Sequence, residues 1–177
     1  MSKRLEIISA AATLAAAFAF ASAAHGHVTL ETREAPAAST YKAVLRVAHG
    51  CSGSPTVAIR VRIPDGVIAV KPMPKPGWQM TTVTGVYAKP YVNHGESVSS
   101  GVKEIAWTGG RLLDGHYDEF VFRATLPDAP SGTVIHVPVV QQCEQGVHRW
   151  IEIPEPGKSA RDYEEPAPSV TLIEKTR

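Results

Sequence analysis

From Tyr41 onward, apolar and polar positions alternate with a period of two. Tyr41 to Val47 (YKAVLRV) and Val57 to Ile63 (VAIRVRI) follow this pattern, the mark of strands with one buried face. Pro64-Asp65-Gly66 reads as a turn, after which Val67 to Val70 resumes the run. Further strand-like runs stand at Trp78–Val83, Val102–Trp107, Glu119–Ala124, Val134–Val140 and Arg149–Ile153. Turn signals separate them at Thr108-Gly109-Gly110, Leu126-Pro127-Asp128-Ala129-Pro130 and Glu155-Pro156-Gly157. Between Lys71 and Gly77 every second residue is proline, which excludes a central strand and predicts an extended surface loop. Many short strands with no helical runs between them predict an all-β fold, an antiparallel β-sandwich of the immunoglobulin or cupredoxin-like kind. Beyond Pro156 the sequence turns charged and proline-rich (GKSARDYEEPAPS). Residues 157–177 therefore read as a loosely held tail outside a domain of residues 27–156.

The first residues follow another pattern. Lys3 and Arg4 precede an Ala-rich apolar run from Ile7 to Ala24 that ends in small residues, as a secretory signal peptide does. Residues 1–26 are expected to be removed on export, with cleavage near Gly26. No stop-transfer pattern and no second apolar run of membrane length follow. The mature product is thus expected in the periplasm or secreted, in an oxidising compartment and without a membrane anchor. Composition agrees with one exported domain: 177 residues, 44% hydrophobic and 20% charged. Removing Lys3, Arg4 and Glu6 leaves 16 basic against 16 acidic residues, a neutral domain with nothing to attract nucleic acid. The 14 Gly and 14 Pro argue against long helices.

Candidate chemistry gathers at the cleavage region, Ala24-His25-Gly26-His27. Cutting after Gly26 makes His27 the mature N-terminus; cutting after Ala24 makes His25 first and His27 third. Either product is a copper ligand set. An N-terminal histidine chelates through its α-amine and ring Nδ1, and an amine with histidine in third position offers a square plane of nitrogens, which suits Cu(II). The alternative is that both histidines merely flank the cut. The two cysteines, Cys51 and Cys143, are 92 positions apart, and in an exported domain they are expected to pair. In the chain-entropy model such a bridge contributes roughly 4 to 5 kcal/mol. A thiolate metal site with His49 or His148 is the competing reading, although no methionine stands near Cys143 to complete a blue-copper set. A disulfide would tether the His49-Gly50-Cys51 loop beside His148 and Trp150. His148 lies two before Trp150, so on a strand both face one side.

Several motifs together resemble the YcnI-like copper-binding domain: His27-Val28-Thr29-Leu30, Leu45-Arg46-Val47, Pro55-Thr56 leading to Val61-Arg62-Ile63-Pro64, and Pro76-Gly77-Trp78. Ile105-Ala106-Trp107-Thr108-Gly109-Gly110, Glu119-Phe120, and Pro138-Val139-Val140-Gln141 running on to Gly146 and Trp150 extend it over residues 27 to 154. The resemblance implies an exported β-sandwich that binds Cu(II) in a single-histidine brace. Its ligands would be the N-terminal histidine, by amine and ring, and a Glu just after the second strand, with a Trp beside the metal. The histidine falls on His27 and the Trp on Trp150. The Glu has no counterpart, since Ala48-His49-Gly50-Cys51 occupies that stretch and no acid follows until Asp65. Imidazole suits Cu(II), so His49 is the candidate to replace the carboxylate. His148 is a further candidate ligand or hydrogen-bonding partner. His94 and His116 lie in turn-rich stretches, and His136, inside an apolar strand, reads as a satisfied core histidine.

The expected function is copper handling without catalysis: buffering, delivery or tolerance, with copper chaperones or copper enzymes as partners. A histidine-brace copper oxidase and a metal-free interaction module are the alternatives.

Overall fold

The computed structural model describes residues 27–175. The expected signal peptide, with His25 and the cleavage site, lies outside the described residues. The chain runs through β1 (Thr29–Leu30), β2 (Glu34–Pro36), β3 (Thr40–Val47), β4 (Thr56–Arg62), β5 (Ile68–Pro72) and β6 (Gln79–Asn93). It continues through β7 (Glu96–Leu112), β8 (Asp118–Thr125), β9 (Val134–His136), β10 (Val139–Cys143), β11 (Val147–Trp150) and β12 (Ser169–Ile173). A four-stranded sheet in the order β1-β3-β8-β5 and a five-stranded sheet in the order β11-β10-β4-β7-β6 form the two layers of the sandwich. Both are antiparallel.

Alternation decides which faces meet. In β3 the side chains of Tyr41, Ala43, Leu45 and Val47 are buried while Lys42 is exposed. In β4 Ile59 and Val61 turn inward, and Arg60 and Arg62 outward. The layer between the sheets is filled by these residues with Leu30, Ile105, Trp107, Phe120 and Val139. Each fully buried Leu, Ile or Phe there contributes about 1.5–3 kcal/mol. The Trp107 and Phe120 rings meet edge to face at 5.6 Å, and the buried Trp107 indole donates to the Met73 carbonyl.

Four expectations are corrected. Residues 157–177 are not all tail. β12 pairs in parallel with β2 and antiparallel with β9, and its Val170 and Leu172 are fully buried in the core. Thr108-Gly109-Gly110 lies inside β7 rather than in a turn; Gly110 is needed there because a Cβ would stand 2.2 Å from the Trp78 ring. β6 and β7 are far longer than the runs at Trp78–Val83 and Val102–Trp107. Their outer halves form a hairpin closed by His94-Gly95, and Val83, Val86 and Val92 in it are exposed. Finally, Val134–Val140 is two strands in different sheets, divided at Val137-Pro138, because proline cannot donate to a ladder. The proline-rich stretch after Val70 agrees better with expectation: Lys71 and Pro72 end β5 on the open edge of its sheet.

Candidate metal centre

Three segments far apart in sequence meet at one end of the sandwich. β1 pairs with β3 in the register Thr29↔Arg46 and Leu30↔Leu45. Continued backward, that register carries His27 level with Ala48, next to His49. The Cys51–Cys143 disulfide, with its Cα atoms 6.0 Å apart, then fixes the loop after β3 to the end of β10. Both sulfurs are committed to it, which removes the thiolate metal site. β10 turns into β11, with Gln141 opposite His148 and Val139 opposite Trp150.

Trp150 is the hub. The residue is 2% exposed and its ring is approached by three imidazoles. The His148 ring stacks on it at 4.7 Å and 27° between planes, His27 lies at 5.2 Å, and His49 at 6.4 Å, edge-on. His49 and His148 face each other edge-on at 5.9 Å. The expected convergence of His27, His49, His148 and Trp150 is therefore present. The i, i+2 spacing of His148 and Trp150 places both on one face, as strand geometry requires.

Hydrogen bonds fix how the two inner histidines present themselves. His49 Nδ1 lies 2.5 Å from the Gly50 carbonyl, which can only accept, so Nδ1 carries the proton. His148 Nδ1 lies 2.7 Å from Glu165 Oε1, and a carboxylate again holds the proton on Nδ1. In the neutral form of each ring this tautomer leaves the lone pair on Nε2, the nitrogen a metal would take. The loop bearing His49 is held from several sides. The Gly50 amide donates to Asp114 Oδ1 at 2.9 Å. A Cβ on Gly50 would stand 1.9 Å from the Ser54 carbonyl oxygen, so only glycine fits.

Beneath the rings lies Gln141, 1% exposed. Its carbonyl oxygen accepts from Trp150 Nε1 at 3.0 Å, and its amide nitrogen donates to the His49 carbonyl and to Thr56 Oγ1, both at 2.7 Å. One buried side chain thus ties the indole, the His49 loop and β4 together. Sequence reasoning missed Gln141 and Glu165. The first had a signal, since it is an inward-facing polar residue in the apolar run VVQQC; the second stands 17 residues from the histidine it grips.

His27 is half-buried and lines an open cleft of about 270 Å³ with Arg33, Arg161 and Pro166. Among the described residues no group of three or more His, Cys, Asp or Glu side chains stands close enough to share a metal ion. What the fold brings together is the His49–His148 pair, with the His27 ring beside Trp150. His94 and His116 are exposed. His136 is only half-buried, and its Nδ1 is buried with no hydrogen-bond partner, which corrects its reading as satisfied. Burial pushes its pKa below the usual histidine value, against a smaller opposing effect from the Ala167 backbone.

Among solved structures, the chain is similar to an uncharacterized protein from Nocardia farcinica whose crystal structure is described as revealing an immunoglobulin-like fold. Identity is 24%, covering 83% of this chain and 98% of that one, with a TM-score of 0.61. At that identity the likeness is one of fold. No curated protein matches the chain. The model of the family described as "Domain of unknown function (DUF1775)", the family of the YcnI-like domains, matches residues 27–172. The match takes in both sheets, the disulfide, all three converging histidines and β12 as far as Leu172, and the chain belongs to the DUF1775 family.

Proposed function

We propose that this domain is an exported Cu(II)-binding protein for periplasmic copper handling, acting as a carrier and not as an enzyme. One observation supports the reading above others: imidazoles from three distant segments gather on one tryptophan, and two of them have Nδ1 occupied and Nε2 free. The donor set fits copper. Nitrogen donors without thiolate suit Cu(II) in preference to the hard oxygen-seeking cations. Processing after Gly26 would give His27 a free α-amine, so that amine and ring together chelate the ion as an N-terminal brace. His49 would then take the place of the carboxylate that YcnI-like domains carry. Trp150 walls the site on its buried side and limits water there. Copper supplies no reaction in this reading; the residues bind it and release it to a partner.

The test uses the mature protein beginning at His27, titrated with Cu(II) by calorimetry and followed by EPR. An axial Cu(II) signal with nitrogen couplings is expected at one ion per protein. His49→Ala should weaken binding and alter the couplings, and His94→Ala should do neither. No Cu(II) binding by the mature protein would overturn the proposal and leave a metal-free module.

A further inference from the structure

We infer that His148 is a metal ligand in its own right, paired with His49, and that Glu165 is the residue that positions it. The inference rests on the copper-binding reading and deepens it, assigning a role to a segment that sequence alone places in a tail.

The separation of the two rings is the first argument. Two imidazoles that bind one ion through nitrogen–metal bonds of about 2 Å have ring centres from roughly 4.5 Å apart at a right angle to roughly 6.3 Å apart when opposed. The His49 and His148 rings are 5.9 Å apart. Both have Nδ1 engaged, so both offer Nε2 without any change of tautomer. A ring left to rotate freely would lose entropy on binding; the His148 ring is already stacked on Trp150.

Glu165 is built to hold that ring. Its two carboxylate oxygens divide the work: Oε1 receives His148 Nδ1–H and Oε2 receives the Arg149 backbone N–H at 2.9 Å. Its own backbone is clamped to the residue after β11 that follows Ile151. The Glu165 amide donates to Glu152 Oε2 at 2.7 Å, the Glu152 amide donates to the Glu165 carbonyl at 3.1 Å, and the Ala167 amide donates to the Glu152 carbonyl at 2.8 Å. The following residues, Pro166 and Ala167, are buried and lead directly into β12. A carboxylate fixed by backbone on one side and by core packing on the other has little freedom left. It therefore sets the orientation of the histidine rather than following it. This carboxylate–histidine arrangement is the one that orients ligating imidazoles in metal sites generally.

The pair gives the site two anchoring modes. The N-terminal chelate at His27 depends on processing, whereas the His49–His148 pair is present in the fold whether or not the N-terminus is free. A protein extended by one Met before His27 should therefore retain weak Cu(II) binding, through side chains alone.

The test compares wild type, His148→Ala, Glu165→Ala and Glu165→Gln, each beginning at His27. Each is titrated with Cu(II), and nitrogen couplings are read by pulsed EPR at saturating copper. His148→Ala and Glu165→Ala should each weaken binding about tenfold to a hundredfold, and each should remove the same histidine coupling. Glu165→Gln keeps an acceptor for Nδ1–H and should keep the coupling, which separates positioning of His148 from a mere loss of folding stability. In the Met-extended protein, His148→Ala should remove the residual binding. Unchanged affinity and couplings in His148→Ala would overturn this inference while leaving the N-terminal brace standing. Absence of Cu(II) binding by wild type would overturn both.

Discussion

Replacing Gln141 by Met tests whether one buried side chain organises the site. Methionine nearly matches glutamine in length and shape, so the change removes polar atoms while leaving little cavity. Three groups lose their partner: the Trp150 indole N–H at 3.0 Å, and the His49 carbonyl and the Thr56 hydroxyl at 2.7 Å. They are not equal. Trp150 is 2% exposed, so its N–H has no water to turn to and incurs the full desolvation cost of about 1–3 kcal/mol. The His49 residue is only half-buried, and its carbonyl can recover a water. The Thr56 hydroxyl retains the Cys143 sulfur at 3.9 Å, a weak partner. Together the loss comes to roughly 2–4 kcal/mol, a large share of the about 5–15 kcal/mol that holds a domain folded. With a urea dependence near 2 kcal/mol per molar, the midpoint should fall by roughly 1–2 M. Because the indole and the His49 loop are released together, Cu(II) affinity should fall about tenfold as well. Equilibrium urea unfolding and copper titration of both proteins check this. A midpoint within ~0.2 M of wild type, with unchanged affinity, would refute the claim that Gln141 carries the site.

Three further outcomes follow from the structure. Cys51→Ser should lower stability by a few kcal/mol, because the bridge closes a separation of 92 residues; thiol titration of the exported wild type should find no free thiol, and two would count against the account. Gly50→Ala should disrupt the His49 loop and weaken Cu(II) binding, since a Cβ at 1.9 Å from the Ser54 carbonyl forces the backbone to move; an alanine variant with native affinity would show that the loop is not held as described. His136, whose pKa burial depresses, titrates near 6.5 once unfolded. Below that pH the unfolded chain takes up a proton that the folded chain refuses, so stability falls as pH drops from about 6.5 toward the depressed folded value. His136→Leu should flatten that fall in urea midpoints measured from pH 7.5 to 5, and parallel curves for the two proteins would contradict the assignment.

The strands that the sequence made legible are those whose two faces meet different surroundings. β3, β4 and β8 each pack one face on the core, and their alternation shows it. The outer half of the β6–β7 hairpin projects beyond the sandwich, so Val83, Val86 and Val92 are exposed and no inward face marks the strands. β12 was hidden for the opposite reason. Only Val170 and Leu172 are buried within a short stretch flanked by prolines and charges, and its partners, β2 and β9, lie far away in the chain. In the site, His49, His148 and Trp150 were legible together because one covalent bridge and one i, i+2 spacing place them. Glu165 was not, because its position depends on the path of the chain between Trp150 and β12, which no local pattern encodes.

The central claim is that a free N-terminus at His27 helps to hold the metal, and extending the chain by one residue tests it most directly. Two proteins, one beginning at His27 and one at Met-His27, share every side chain of the site, and only the α-amine is moved out of reach of the His27 ring. Titrated with Cu(II) side by side, the extended protein should bind far more weakly and lose the axial EPR spectrum of the other. Matching affinities and matching spectra would contradict the account.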